Sequence, residues 1–164
     1  MKYFNLLVSL ALLCTVSSCF TNRLVKSQDG HQIVDEEYKI TLINVAQNGI
    51  MNAGGPGFYS TVRDEESNEA GKFYKATVTI ENTTANYIVV DLKKLLLCDD
   101  EKNCLTPSEF HMKSIVDGYV SDTLELKPNK EKGRELYYIG PKRFIPKYLL
   151  NQASGRFIEF QYKD

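Results

Sequence analysis

The chain has 164 residues and a formal net charge of -1, with 20 basic and 21 acidic residues. This balance excludes the strongly basic surfaces that bind nucleic-acid phosphates, and the short basic run at Lys130 to Lys132 is interrupted by Glu131. A chain of this length with 43% apolar residues suffices for one domain with its own core.

The first eighteen residues are typical of a bacterial secretory leader. Lys2 gives a positive start, and an apolar run, LLVSLALL, extends from Leu6 to Leu13. A membrane-spanning helix needs about 20 apolar residues, so this run is too short to span a bilayer. Residues 1–18 are therefore predicted to be a signal peptide that is removed from the mature protein.

The leader ends in a motif that decides how the mature chain is retained. Residues 16–19, Val-Ser-Ser-Cys, resemble the lipobox of bacterial lipoproteins, whose cysteine carries lipid and becomes the first residue. Two or three acyl chains give a durable anchor where one is marginal. We therefore predict lipidation at Cys19 and membrane attachment through that lipid, with plain secretion as the alternative. Phe20 is not the aspartate that retains many lipoproteins in the inner membrane, so the outer membrane is favoured.

The segment after the lipidation motif is polar. Residues 19–37 contain scattered apolar side chains without a sustained strand or helix period. Such a segment is typical of a flexible linker, so we predict a lipidated tether over 19–37 and a domain over 38–164. Ile33 and Val34 could instead begin an edge strand, and His31 is expected to be exposed in the tether.

The rest of the chain consists mainly of short alternating segments. In residues 72–84, Tyr74, Ala76, Val78 and Ile80 fall on one face and polar residues on the other, as in a half-buried strand. Further strands are predicted at 38–46, 86–98, 120–127, 134–139 and 156–162, with a bend at Lys93-Lys94.

The connections between these segments favour antiparallel pairing. The polar link from Asn82 to Asn86 is too short for a parallel crossover, and Pro128-Asn129 presets a turn. Short helices are predicted only at Pro107 to Asp117 and Pro146 to Ala153, and the glycine-rich stretch from Ala53 to Gly57 is expected to form a mobile loop. The sequence therefore predicts an all-β, two-layer antiparallel sandwich of about seven strands, with a small barrel as the alternative.

Two cysteines remain in the mature domain once Cys14 leaves with the leader and Cys19 carries lipid. In an oxidising compartment this even pair, Cys98 and Cys104, predicts one disulfide. The bond would tighten a loop that presents Asp99, Asp100 and Glu101, and this pattern is typical of a solvated acidic turn; a calcium loop is disfavoured because the Asp-x-Asp-x-Asp-Gly order of calcium sites is missing. A further hypothesis is that these three residues form a recognition loop displayed on the rigid sandwich.

Two segments of the chain carry a family resemblance. The strand ending in Glu81-Asn82-Thr83-Thr84, and the turn and strand from Leu124 to Pro141, are similar to bacterial envelope lipoproteins of unknown function. That family has a telokin-like, immunoglobulin-like sandwich, a fold also found in secreted immunoprotective antigens. Asn129 stands where the family usually has glycine, which is tolerable because Asn accepts a left-handed conformation. The resemblance implies no catalytic residues.

No residue pattern in the sequence indicates an enzyme. His111 has no partner at metal-ligand spacing, and neither a nucleophile elbow nor a phosphate-binding loop occurs. We therefore expect no metal, no cofactor and no nucleic-acid partner. The sequence favours a non-enzymatic envelope lipoprotein that binds a protein or surface component; the alternative is a periplasmic accessory or inhibitor module that acts on an envelope enzyme.

Overall fold

The computed structural model describes residues 24–26, 32–48, 51–52, 59–60, 72–112, 120–141 and 143–161. Nearly all regular structure in these residues is strand, and a 3₁₀ turn, Leu92–Lys94, separates β7 from β8. The strands are β1 Leu24–Lys26, β2 Gln32–Val34, β3 Tyr38–Asn48, β4 Met51–Asn52, β5 Tyr59–Ser60, β6 Lys72–Asn82, β7 Ile88–Asp91, β8 Leu95–Cys98, β9 Cys104–Leu105, β10 Glu109–Met112, β11 Thr123–Leu126, β12 Glu131–Gly140, β13 Tyr148–Asn151 and β14 Arg156–Glu159.

These strands form two antiparallel layers. The first has the order β1-β3-β6-β12-β10, with β2 also paired to β3. The second contains the β11-β7 pair and the β14-β13-β8-β9 sheet, while β4 and β5 form a separate pair. One cluster of buried apolar residues draws on both layers. The predicted all-β antiparallel sandwich is confirmed, with more and shorter strands than the seven expected.

The alternating residues of the central strands form the core. Tyr74, Ala76, Val78 and Ile80 of β6 are almost completely buried, as the alternation predicts. In β7, Ile88 and Val90 are buried whereas Val89 is 59% exposed. The phase change expected at Lys93-Lys94 is the 3₁₀ turn, where the Asp91 side chain accepts a hydrogen bond from the Lys93 amide.

Two adjacent tyrosines show how the layers are joined. Tyr138 is fully buried, and its hydroxyl donates to the carbonyl of Leu95 in the opposite layer at 2.9 Å. Burial raises the pKa of Tyr138, so the hydroxyl stays a neutral donor. Tyr137 points to the other face and is only partly buried. The two side chains therefore point to opposite faces of β12, and only Tyr138 of the pair enters the core.

The tether prediction for residues 19–37 is wrong for part of its length. β1 and β2 both pair with the same edge of β3, and Ile33 is 1% exposed. The sandwich therefore begins before Tyr38, and the alternative of an edge strand at Ile33 and Val34 is confirmed. The edge of β3 supplies hydrogen-bond partners that no local pattern could show. The predicted leader, Cys19, His31 and the glycine-rich loop lie outside the described residues.

The two predicted helices are also wrong where the structure describes them. The segment from Pro107 contains β10, and the segment from Pro146 contains β13. β13 lies between β8 and β14, and β10 pairs with β12, so ladder hydrogen bonds from distant residues override a weak local preference. In the described residues, no helix is long and apolar enough to cross a membrane.

The short link after β6 joins the two layers and does not form the expected hairpin. Asn82, which is 0% exposed, donates from Nδ2 to the carbonyls of Asn86, Leu126 and Lys127 at 2.7, 3.2 and 3.1 Å. Its Oδ1 accepts from the Thr84 amide at 2.9 Å. The Asn82 side chain therefore provides hydrogen-bond partners for backbone groups of two loops, at the point where the chain passes from one layer to the other.

Candidate functional site

The predicted disulfide is present at one end of the sandwich. β8 and β9 pair so that Cys98 and Cys104 lie directly opposite, with 4.1 Å between their Cα atoms. Cα atoms this close can be bridged without moving the backbone. The bond closes a hairpin whose first strand is buried and whose tip reaches solvent.

The hairpin does not present all three acidic side chains that the sequence predicted. Asp99 is 8% exposed, and its carboxylate accepts from the Asn103 amide at 2.8 Å and from Asn103 Nδ2 at 2.9 Å. Of the three acidic side chains, only Asp100 and Glu101 are exposed. Because a carboxylate at the start of a tight turn captures the free amides of that turn, Asp99 has a structural role.

The tip of the hairpin contains a residue in a left-handed conformation. Lys102 has φ of 67°, and its amide donates to the Asp99 carbonyl at 3.3 Å. Residues with a branched or long side chain rarely adopt this region, where Asn and Gly are preferred. The turn therefore holds local strain, and the disulfide beneath it limits how far the strands can separate.

A groove of about 580 Å³ runs beside the hairpin. Asp100 and Glu101 of the hairpin line it and are called the acidic wall; Arg143 and Lys147 of the segment after β12 also line it and are called the basic wall. Apolar side chains line it as well: Leu105 is half-buried, Phe144 is buried and Ile145 is 52% exposed. The groove thus combines an acidic side, a basic side and an apolar surface.

The basic wall is attached to the core at several points. The Lys147 amide donates to the Cys98 carbonyl at 2.7 Å, and the Phe144 amide donates to the Pro141 carbonyl at 3.0 Å. The buried hydroxyl of Tyr74 donates to the Phe144 carbonyl, and the two rings meet edge to face at 5.5 Å. Burial raises the pKa of Tyr74, which keeps this donor protonated. The wall is therefore held by β6 and β8.

The exposed charges of the groove make few contacts within the described part of the domain. Among the residues that the structure describes, the side chains of Asp100, Arg143 and Lys147 have no hydrogen-bond or ion-pair partner, and Glu101 accepts only from Asn103, at 3.4 Å. A ligand that carries both charges could pair with both walls. The sequence did not predict the basic wall, because Pro146 suggested a helix start there.

The described residues do not bring the acidic tip into a metal site. Within the ranges that the structure covers, no three His, Cys, Asp or Glu side chains converge closely enough to hold an ion. Asp99 is already satisfied by Asn103, so the remaining tip carboxylates are too few for the six to eight oxygen ligands of calcium.

His111, the histidine within the described ranges, does not line the groove. His111 on β10 is 8% exposed, its Nε2 is 3.3 Å from Glu109 Oε2, and its ring is 4.7 Å from that of Tyr137. The helix predicted from Pro107 to Asp117 does not place Glu109 and His111 on one face, whereas the segment forms strand β10. In a strand, residues two apart share a face, and this spacing could have identified Glu109.

Comparisons with known proteins bear on the fold alone. No family model matches the chain, and a search of curated proteins finds no match. A conserved hypothetical protein from Bacillus anthracis is similar in structure, with a TM-score of 0.55, 12% identity, and coverage of 86% of this chain and 99% of that one. A functionally unknown protein from Listeria monocytogenes has a TM-score of 0.52 at 12% identity, covering 91% and 93%. An uncharacterized β-sandwich protein from Clostridium difficile has a TM-score of 0.47 at 12% identity, covering 76% and 83%.

Proposed function

We propose that the protein is a non-enzymatic bacterial envelope lipoprotein whose sandwich binds a protein partner. Lipid at Cys19 attaches it to the membrane, with the outer membrane favoured, and the domain is of the telokin-like, immunoglobulin-like kind that its sequence resembles. The groove carries this proposal, because its opposite charges have no partner in the described part of the domain. Charges left open on a braced scaffold are typical of recognition sites.

The chemistry of the groove indicates the kind of segment it binds. Asp100 and Glu101 attract a Lys or Arg side chain, whereas Arg143 and Lys147 attract Asp or Glu. The exposed Ile145 and half-buried Leu105 provide an apolar contact between them. The ligand that fits is an extended peptide segment in which an apolar residue lies between a cationic and an anionic one. Opposite charges on the two walls also determine the direction in which that segment lies.

A peptide selection tests the recognition step. The full-length protein is used to select from a displayed library of random hexapeptides, and we expect enrichment of sequences that contain both charges flanking an apolar residue. The double variant Asp100→Ser/Glu101→Ser should lose the preference for the cation, and Arg143→Glu should lose the preference for the anion. Selected peptides with no charge preference would contradict the proposal.

The matched control lies at the opposite end of the sandwich. Glu36 and Glu37 are also adjacent and exposed, but they do not line the groove. Glu36→Ser/Glu37→Ser removes the same net charge and should leave the selected sequences unchanged. If both double variants change the selection equally, net charge and not the groove governs binding.

Attachment to the membrane is tested separately. Mass spectrometry of the mature N-terminus should show a diacylglyceryl-modified Cys19 as the first residue, and the protein should enter the detergent phase on phase separation. An unmodified Cys19 would contradict the lipoprotein part of the proposal. Protease treatment of intact cells then distinguishes a surface-facing domain, which is digested, from a periplasmic one, which is spared.

A further inference from the structure

The N-terminal edge strand shows where the chain enters the sandwich. β1 and β2 follow one another along the same edge of β3, with Leu24 opposite Ala46, Lys26 opposite Asn44, and Gln32 opposite Thr41. Because the pairing is antiparallel, β1 begins beside the C-terminal part of β3. The chain therefore enters at the end of the first layer where β3 finishes.

The disulfide hairpin lies at that same end. Ala46 of β3 is opposite Lys75 near the start of β6, and β12 finishes at Gly140, opposite Lys72. Leu105 of the hairpin packs so closely on Gly140 that a Cβ there would lie 2.7 Å from Leu105 Cδ1. The start of β1 and the charged groove therefore belong to one end of the sandwich.

The length of chain between the lipidation motif and β1 limits how far this end can be from a membrane. Five peptide steps separate Cys19 from Leu24, which span at most about 18 Å when fully extended. The 11 residues of β6 extend the sandwich over roughly 35 Å. An anchor at Cys19 therefore keeps the groove end close to the lipid headgroups, with the opposite end farther out.

We infer that the groove end of the sandwich is turned toward the membrane, and that its partner is a segment of an envelope protein lying at the membrane surface. This rests on the proposed lipidation of Cys19. A tether over all of 19–37 would have let the domain turn freely, but the pairing of β1 with β3 removes most of that length. A partner in solution has poor access to a groove in this position, whereas a membrane-proximal segment meets it directly.

Energy transfer to a labelled bilayer tests this orientation. Lipidated full-length protein is reconstituted in phosphatidylethanolamine–phosphatidylglycerol vesicles that carry a headgroup acceptor dye. A donor is attached through Thr106→Cys at the groove end, or through Ala153→Cys in the exposed turn at the opposite end. We expect severalfold faster transfer from position 106, because transfer falls steeply with distance.

Two results would contradict the inference, and only one of them also contradicts the lipid anchor. Equal or reversed transfer in protein that sediments with the vesicles contradicts the orientation and leaves the lipid anchor intact. Protein that stays in the supernatant contradicts the anchor and the orientation together. As a matched control, about 20 Gly/Ser residues inserted after Phe20 add a flexible linker of roughly 25 Å and should abolish the difference between the two positions.

Discussion

At one end of the sandwich a covalent bond between Cys98 and Cys104 braces a hairpin whose charged neighbours have no described partner. The opposite end is closed by amide side chains: Asn82 and Asn151 are each 0% exposed, and both make several hydrogen bonds. Polar groups whose hydrogen bonds are all made inside the domain stabilise the fold, whereas exposed charges without a partner are available to bind a ligand. This difference is why the binding site is assigned to the disulfide end.

The amide end also joins the first strands to the last ones. Asn151 Nδ2 donates to Asp35 Oδ2 at 2.6 Å and to the Tyr38 hydroxyl at 2.9 Å. Asp35 in turn lies 3.7 Å from the Arg156 guanidinium. These contacts connect the β2–β3 turn with the β13–β14 hairpin, which are more than one hundred residues apart in the chain. The amide end therefore contributes to global stability through non-local contacts.

Removing the Asn82 side chain should have the largest effect. Asn82→Ala removes a fully buried amide that donates to three loop carbonyls and accepts from the Thr84 amide, and we expect the free energy of unfolding to fall by about 3 kcal/mol. Urea unfolding measures this change. The exposed Asn86, whose backbone carbonyl is the part that Asn82 contacts, provides the control: Asn86→Ala should change stability by less than about 0.5 kcal/mol. Equal effects of the two variants would mean that the Asn82 hydrogen bonds are dispensable.

Removing the disulfide should have a smaller effect on stability and a larger one on recognition. For Cys98→Ala/Cys104→Ala we expect a loss of about 2 kcal/mol, because the closed loop is short. Binding of the peptides selected by the wild-type protein should also weaken, since the tip carboxylates are no longer braced opposite the basic wall. Asn82→Ala should leave that binding unchanged at temperatures where the variant is folded. A loss of binding in both variants would show that the two ends are not independent.

The buried hydroxyl of Tyr74 gives a pH-dependent comparison. At neutral pH, Tyr74→Phe removes the bond to the Phe144 carbonyl and should lower the free energy of unfolding by about 1 kcal/mol. Burial raises the pKa of Tyr74 above its ordinary value of 10.0, so the unfolded chain ionises first as the pH rises. The stability that this pKa difference contributes is therefore fully present below pH 10. Above pH 10 the free energy of unfolding falls, by up to about 1.4 kcal/mol per pH unit for each tyrosine with a raised pKa.

The variant tests the sign of this dependence. Because Phe cannot ionise, Tyr74→Phe should show a shallower loss of stability above pH 10 than the wild type, measured as urea midpoints across the alkaline range. Parallel curves for the two proteins would mean that Tyr74 is not protected from ionisation by burial.

The two non-glycine residues that have a left-handed conformation in the described ranges should give the smallest effects, of opposite sign at the two ends. Lys102 at the disulfide end has φ of 67°, and Asn129 at the opposite end has φ of 53°. Lys102→Asn should stabilise the protein by about 0.5 kcal/mol, whereas Asn129→Ala should destabilise it by a similar amount, because Asn tolerates this region better than other residues with a Cβ. Thermal unfolding with high replication would resolve these shifts, and a destabilised Lys102→Asn would refute strain at the tip.

The strands were predictable where their alternation faces one buried layer. β7 shows this pattern throughout, and β6 shows it from Tyr74 to Ile80, where buried apolar residues alternate with Lys75, Thr77 and Thr79; Phe73 and Asn82 at the ends of β6 are buried outside the pattern. The segment that forms β13 was not predictable, because Tyr148, Leu149 and Leu150 are apolar in a row and suit a short helix as well as a strand. The segment is a strand because it pairs with β8 on one side and β14 on the other. The pairing with β8 depends on residues far away in the chain.

The alternating strands and the pair of cysteines can be read from the chain without a structure, because they depend on the order of neighbouring side chains and on an even number of cysteines. The left-handed conformation of Asn129, which the family resemblance indicates, also depends only on residues close together in the chain. The folded structure is needed to see that Asp99 is buried, that Arg143 and Lys147 line the same groove as the acidic tip, and that β1 starts at the groove end. Those facts depend on pairing between distant strands, for which the local sequence carries no signal.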